Sequence, residues 1–134
     1  MAAETTEFEL VSPEKLLIST AAEMVVVPGT EGDFGALPCH SPMMTGVRPG
    51  VIDVYQNGKV ESRIFVAGGF AEVNETRITV LAEEAIPLNE LTHEIAEARL
   101  TKAKQDLDHA DSDHARHAAE RHIVIARAMA QALA

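Results

Sequence analysis

Two kinds of hydrophobic spacing divide the chain. As far as Pro87, apolar residues come in short runs or alternate with polar ones; beyond it they recur every three or four positions. Val60-Glu61-Ser62-Arg63-Ile64 and Arg77-Ile78-Thr79-Val80 alternate in part, as half-buried antiparallel strands do. Strands are expected over 8–11, 15–19, 23–27, 43–47, 51–55, 60–66, 69–73 and 77–82. Turn residues separate them, and Asn57-Gly58 is the clearest hairpin because it tolerates the positive φ of a tight primed turn. Eight short strands with no helix between them predict a β-sandwich or flattened barrel.

The second spacing predicts two helices. Ala96, Leu100, Ala103, Leu107 and Ala110 form one narrow seam, and Ala115, Ala119, His122, Ala126, Met129 and Leu133 form another. Asn89 is the expected N-cap of the first helix, and the polar stretch from Asp108 to Asp113 the turn between them. Every glycine and proline lies at or before Pro87, whereas twelve alanines crowd the last 47 residues. The expected architecture is therefore α+β: an antiparallel β-sandwich over 1–87, then an antiparallel two-helix hairpin over 88–134.

Composition narrows the function classes. A net charge of −10 argues against nucleic acid and anionic membrane surfaces, both of which select basic clusters. The single cysteine excludes an internal disulfide. No apolar run is long enough to span a bilayer, so membrane contact is expected only through partners. The start, Met1 to Glu7, has neither a basic n-region nor an apolar core, the marks of a signal or transit peptide.

Chemistry-bearing residues do not assemble into an active site. Cys39-His40 invites a thiolate–imidazole pair, but neighbours in an extended segment point to opposite faces. His114 and His117 stand one helical turn apart beside Asp113, without any further metal framework; solvated helix-face histidines are the default reading. Gly68-Gly69-Phe70 lies between two strands and lacks a following Lys-Ser/Thr, so a close backbone crossing is expected there, not a phosphate loop. Glu83-Glu84 reads as solvated charge at the exit of the sheet. No catalytic residue, metal or cofactor is expected.

The densest turn chemistry lies between Val27 and Val54, with five of the eight glycines and four of the six prolines. There, Glu31-Gly32-Asp33-Phe34-Gly35, Pro38-Cys39-His40-Ser41-Pro42 and Arg48-Pro49-Gly50 follow in order, with Gly68-Gly69-Phe70-Ala71-Glu72-Val73 further on. These blocks resemble the epsilon subunit of bacterial F-type, proton-translocating ATP synthases, and the resemblance runs from Phe8 to about Leu133. It implies a non-catalytic rotor subunit of the central stalk, which clamps the gamma subunit to the c-ring so that proton-driven rotation is coupled to ATP synthesis. By motif position, the residues facing the c-ring fall on Glu31, Asp33 and His40, and the residue near gamma on Ser12. The hairpin is implied to be a regulatory arm that can reach the alpha and beta subunits. The implied location is peripheral, on the cytoplasmic face of a bacterial inner membrane.

One departure bears on regulation. ATP-sensing members of that family open the first hairpin helix with Ile/Leu-Asp-x-x-Arg-Ala, whereas this chain reads Leu91-Thr92-His93-Glu94-Ile95-Ala96. Thr92 and Ile95 replace the two polar ligands, so nucleotide binding is expected to be weak or absent. The second helix also ends without basic residues, so the inhibitory role is expected to be weakened. Rival classes are a small Cys-His hydrolase and a free-standing adaptor module with a helical arm.

Overall fold

The computed structural model describes residues 4–13 and 15–134, with the backbone alone at residue 15. The reading of Met1–Ala3 lies outside the described residues. The chain divides into two compact units, Met1–Leu88 and Asn89–Ala134.

The first unit is all strand: β1 (Thr6–Ser12), β2 (Lys15–Ala22), β3 (Met24–Gly29), β4 (Gly32–Ala36), β5 (Met43–Val47), β6 (Gly50–Gln56), β7 (Lys59–Val66), β8 (Gly69–Val73), β9 (Arg77–Ala82) and β10 (Ala85–Pro87). They form one sheet in the order β10-β7-β6-β3-β5-β8-β9-β1-β2, with β4 added to β3. All pairs are antiparallel except β1 with β9, which run parallel.

The sheet curls on itself. Glu23 donates its backbone N–H to Tyr55 O, and Gln56 Nε2 donates to Thr20 Oγ1 at 3.0 Å, so the β2 end of the sheet meets β6. Inside, alternate residues from Phe8, Leu10, Val25, Val27, Ile52, Val54, Ile64, Val66, Val73, Ile78 and Val80 make one apolar core. Their two-residue period is what the alternating sequence pattern anticipated.

The eight expected strands are present, and two more join them. The segment expected as loop after Gly29 pairs back on β3 as β4, with Gly29 opposite Gly32 and Val25 opposite Ala36. Asn57 (φ 55°) and Gly58 (φ 77°) form the tight turn between β6 and β7. At Gly69 the φ is 143°, and a Cβ there would lie 1.9 Å from the Leu81 carbonyl oxygen. That is the expected close backbone crossing.

The second unit is α1 (His93–Asp108) and α2 (Asp113–Ala132), preceded by a single 3-10 turn at Leu88–Glu90. The N-cap of α1 is Thr92 and not Asn89, which falls in that 3-10 turn; Thr92 Oγ1 accepts from Ile95 N–H at 3.2 Å. Ser112 caps α2 in the same way through Ala115 N–H at 3.0 Å. Ala96, Ala103, Ala119, Ala126 and Met129 are buried as the seams require, but His122 is exposed and Ile125 takes the inward place. The shift of one helical step follows from the local series Ile123-Val124-Ile125, where the larger apolar side chain offers more burial than imidazole.

Candidate interaction site

The site is built on one end of the curled sheet. Register shows which residues share that end. Val47 at the close of β5 pairs with Gly69 at the start of β8, which pairs with Ala82 at the close of β9. Val11 near the close of β1 pairs with both Leu81 and Leu16. Gly29 at the close of β3 also pairs with Val47, so the β3–β4 tip lies at the same end.

That tip, Thr30-Glu31, is pinned to β5 and to the turn after it. Thr30 N–H donates to Gly46 O, and Arg48 N–H to Pro28 O, both at 2.9 Å. A Cβ on Gly46 would come within 2.9 Å of Thr30 Cγ2, so only glycine lets the tip lie this close. The Arg48 side chain adds a fork: Nη1 donates to Gly29 O at 2.5 Å, and Nη2 to Asp33 Oδ1. Asp33 thus already has a cation from its own chain. Glu31 forms no ion pair or hydrogen bond with the other described residues.

Asp33, Glu31 and Ser12 are at this end. His40 is not. It precedes β5, whose first residue Met43 pairs with Val73 at the far end of β8. Four steps of extended chain, from Gly69 to Val73, separate the two ends by about 13 Å. His40 Nδ1 donates to Ser41 O at 2.6 Å, and Cys39 N–H donates to Glu75 O at 2.9 Å, fixing this loop on the β8–β9 turn. Cys39 has φ 65° and so sits in a left-handed turn, where an extended segment was expected.

A feature missed in the sequence crosses the outer face. Gly46, Phe70, Leu81, Val11 and Leu16 are register partners on five adjacent strands, β5, β8, β9, β1 and β2. Phe70 is 64% exposed, Leu81 53% and Leu16 57%, and Met44 stands beside them at 72%. An exposed apolar row spanning five strands is about 20 Å long. Contiguous apolar surface of this kind marks a docking face more often than scattered single residues do. Its flank carries Glu72, Glu9 and Glu7, with Arg77 held on Glu9 at 3.0 Å. Periodicity within one strand gives Leu81 or Phe70 no distinction; the row exists only through register, including the parallel β1–β9 pair.

Elsewhere the surface holds local pairs. The Asp53 carboxylate, through its hydrogen bond first and its charge second, raises the Arg63 guanidinium pKa above the usual value. Asp113 is engaged by Arg116 at 2.7 Å, and no group of three His, Cys, Asp or Glu side chains suited to a metal ion occurs among the described residues. Between α1 and α2 a groove of about 290 Å³ is lined by Arg99, Lys102, Ala103, Asp106, His122 and Ile125. Lys102 there is paired with Asp106 at 3.1 Å.

Residues 5–88, the whole of the sheet, match the family described as the ATP synthase delta/epsilon chain β-sandwich domain. The chain belongs to the ATP synthase delta/epsilon family. Among curated relatives, the ATP synthase epsilon chain of Paramagnetospirillum magneticum is 64% identical over 132 residues, covering 98% of this chain and 99% of the relative. The epsilon chain of Rhodospirillum rubrum is 58% identical, covering 98% and 95%. In three dimensions the chain is similar to one in the Euglena gracilis mitochondrial ATP synthase, an OSCP/F1/c-ring assembly, at TM-score 0.80 and 26% identity. That match covers 100% of this chain and 84% of the other. A chain of the Tetrahymena thermophila central stalk and c-ring shares the fold at TM-score 0.73 and 14% identity, each chain covered in full. The fold is therefore common to this chain and to one chain of each assembly, and the expected fold class is borne out.

Proposed function

We propose that this chain is the epsilon-type rotor subunit of a membrane ATP synthase, coupling the gamma subunit to the c-ring without performing chemistry itself. The observation that supports this best is the apolar row beside a pinned acidic tip, set on a sandwich that full-length epsilon chains match at 64% and 58% identity. The row and Ser12 adjoining it form the gamma-facing surface. Its acidic flank suits a partner with basic residues around an apolar centre, since rim charges steer encounter and fix register more than they add affinity. The tip at Glu31 is the c-ring-facing surface, where basic side chains on the ring's exposed loops would meet it.

A coupling between two rotating bodies has to be stiff. The curled sheet supplies stiffness through continuous backbone pairing across nine strands and a side-chain closure at Gln56. His40, at the opposite end, takes no part in the same contact as Glu31. The hairpin is the arm directed at the alpha and beta subunits, with a weakened inhibitory action, and it takes no nucleotide. Thr92 Oγ1 is engaged in capping α1, and Ile95 has no polar group to offer. No described helix is long and apolar enough to cross a membrane. As a subunit of that assembly, the chain sits peripherally, on the cytoplasmic face of a bacterial inner membrane, held by its partners.

The test is co-purification from solubilised membranes. Phe70→Glu with Leu81→Glu should release the chain from gamma, whereas Glu31→Lys should keep gamma and impair proton-driven ATP synthesis. Normal assembly and synthesis in both variants would refute the assignment.

A further inference from the structure

We propose that Arg48 is a positioning residue that sets the β3–β4 tip by using Asp33 as an internal counter-ion, so that Glu31 is the carboxylate offered to a basic partner. The ring as that partner rests on the function proposed above; the role of Arg48 does not.

Two residues in this stretch carry acid side chains, and their surroundings differ. Asp33 is on β4, opposite Pro28, and accepts from Arg48 Nη2. The other arm of the same guanidinium donates to Gly29 O on β3, and the Arg48 backbone N–H reaches Pro28 O. One residue therefore holds both strands of the hairpin from outside it, fifteen positions along the chain from Asp33. A planar fork with several fixed donors can make this bridge; the point charge of a lysine cannot serve a carbonyl and a carboxylate in the same geometry. Gly29 tightens the arrangement, because a Cβ there would fall 2.8 Å from Gly32 O.

The consequence is a division of labour. A partner cation that took Asp33 would have to share its charge with Arg48, which already holds Oδ1, whereas Glu31 offers a carboxylate with no cation from the other described residues upon it. Asp33 and Arg48 side chains are 62% and 44% exposed, so the pair is worth little as bulk stability. Its effect is local order at the tip.

Amide hydrogen exchange on the full chain tests the positioning role without any partner. Arg48→Lys and Asp33→Asn should each speed exchange at Thr30 and at residue 48 by roughly threefold or more, with the rest of the sheet unchanged. Combining them should add nothing beyond the larger single effect, because both remove the same bridge. Unaltered exchange, or effects that simply add, would overturn the bridge. The second arm measures capture of the full chain by the solubilised gamma–c-ring rotor from low to high salt. Glu31→Gln should flatten the salt dependence; Asp33→Asn should weaken capture while keeping its salt slope. Equal flattening by Asp33→Asn would overturn the assignment of Glu31 as the contact. Failure of the wild-type chain to be captured would remove the ring as partner, and the exchange result would still decide Arg48.

Discussion

Gly69 and Gly58 both adopt φ values that side chains rarely take, 143° and 77°, yet their surroundings are unlike. Around Gly58 nothing lies within 4 Å of a built Cβ, so Gly58→Ala meets only backbone strain, about 1 kcal/mol. At Gly69 the added methyl would fall 1.9 Å from Leu81 O, and the β8–β9 ladder would have to move. Gly69→Ala is expected to cost on the order of 3 kcal/mol or more, combining strain with a backbone clash. Urea unfolding of the two variants measures the contrast; similar midpoints would contradict it. The same residues show what a sequence can disclose at this scale. Asn57-Gly58 is a local turn signal and could be read directly. The partner that makes Gly69 indispensable is Leu81, twelve residues on, and the partner of Asp33 is Arg48. Neither pairing leaves a trace in local spacing.

Among the elements, strands with alternating apolar residues were legible and β4 was not. Gly32-Asp33-Phe34-Gly35-Ala36 carries two glycines and buries only Ala36, so it lacks the pattern of a strand and owes its place to pairing with β3. The helices were legible from their period, but α1 starts at His93 because Thr92 supplies a capping hydroxyl while Asn89 falls in the 3-10 turn. Thr92→Ala should lower helix stability by about 1 kcal/mol, and Ser112→Ala should do the same for α2. Thermal scans followed at the helical ellipticity band measure both. Capping also bears on nucleotides, since Thr92 Oγ1 is occupied by Ile95 N–H. Calorimetry with ATP on the full chain should show no binding in the micromolar range; a micromolar Kd would overturn the reading of Thr92 and Ile95 as lost ligands.

At the scale of the molecule, the two units depend on different amounts of apolar burial. The sixteen buried residues of the sheet core all lie between Phe8 and Ala82, and twelve of them are larger than alanine: seven Val, three Ile, Phe8 and Leu10. Of the seven buried apolar residues from Leu91 to Met129, four are alanine, which removes little surface from water. A chain ending at Leu88 should therefore fold with the sheet intact and unfold in urea in one cooperative transition. The segment 89–134 alone should show only partial helix, since helices of this length rely on tertiary packing. In membranes, the shortened chain should still support proton-driven ATP synthesis, because the apolar row and the Glu31 tip are both retained. A shortened chain that failed to fold would show that the sheet core is not self-sufficient. One that folded but abolished synthesis would place the coupling surface in the hairpin and not on the sheet.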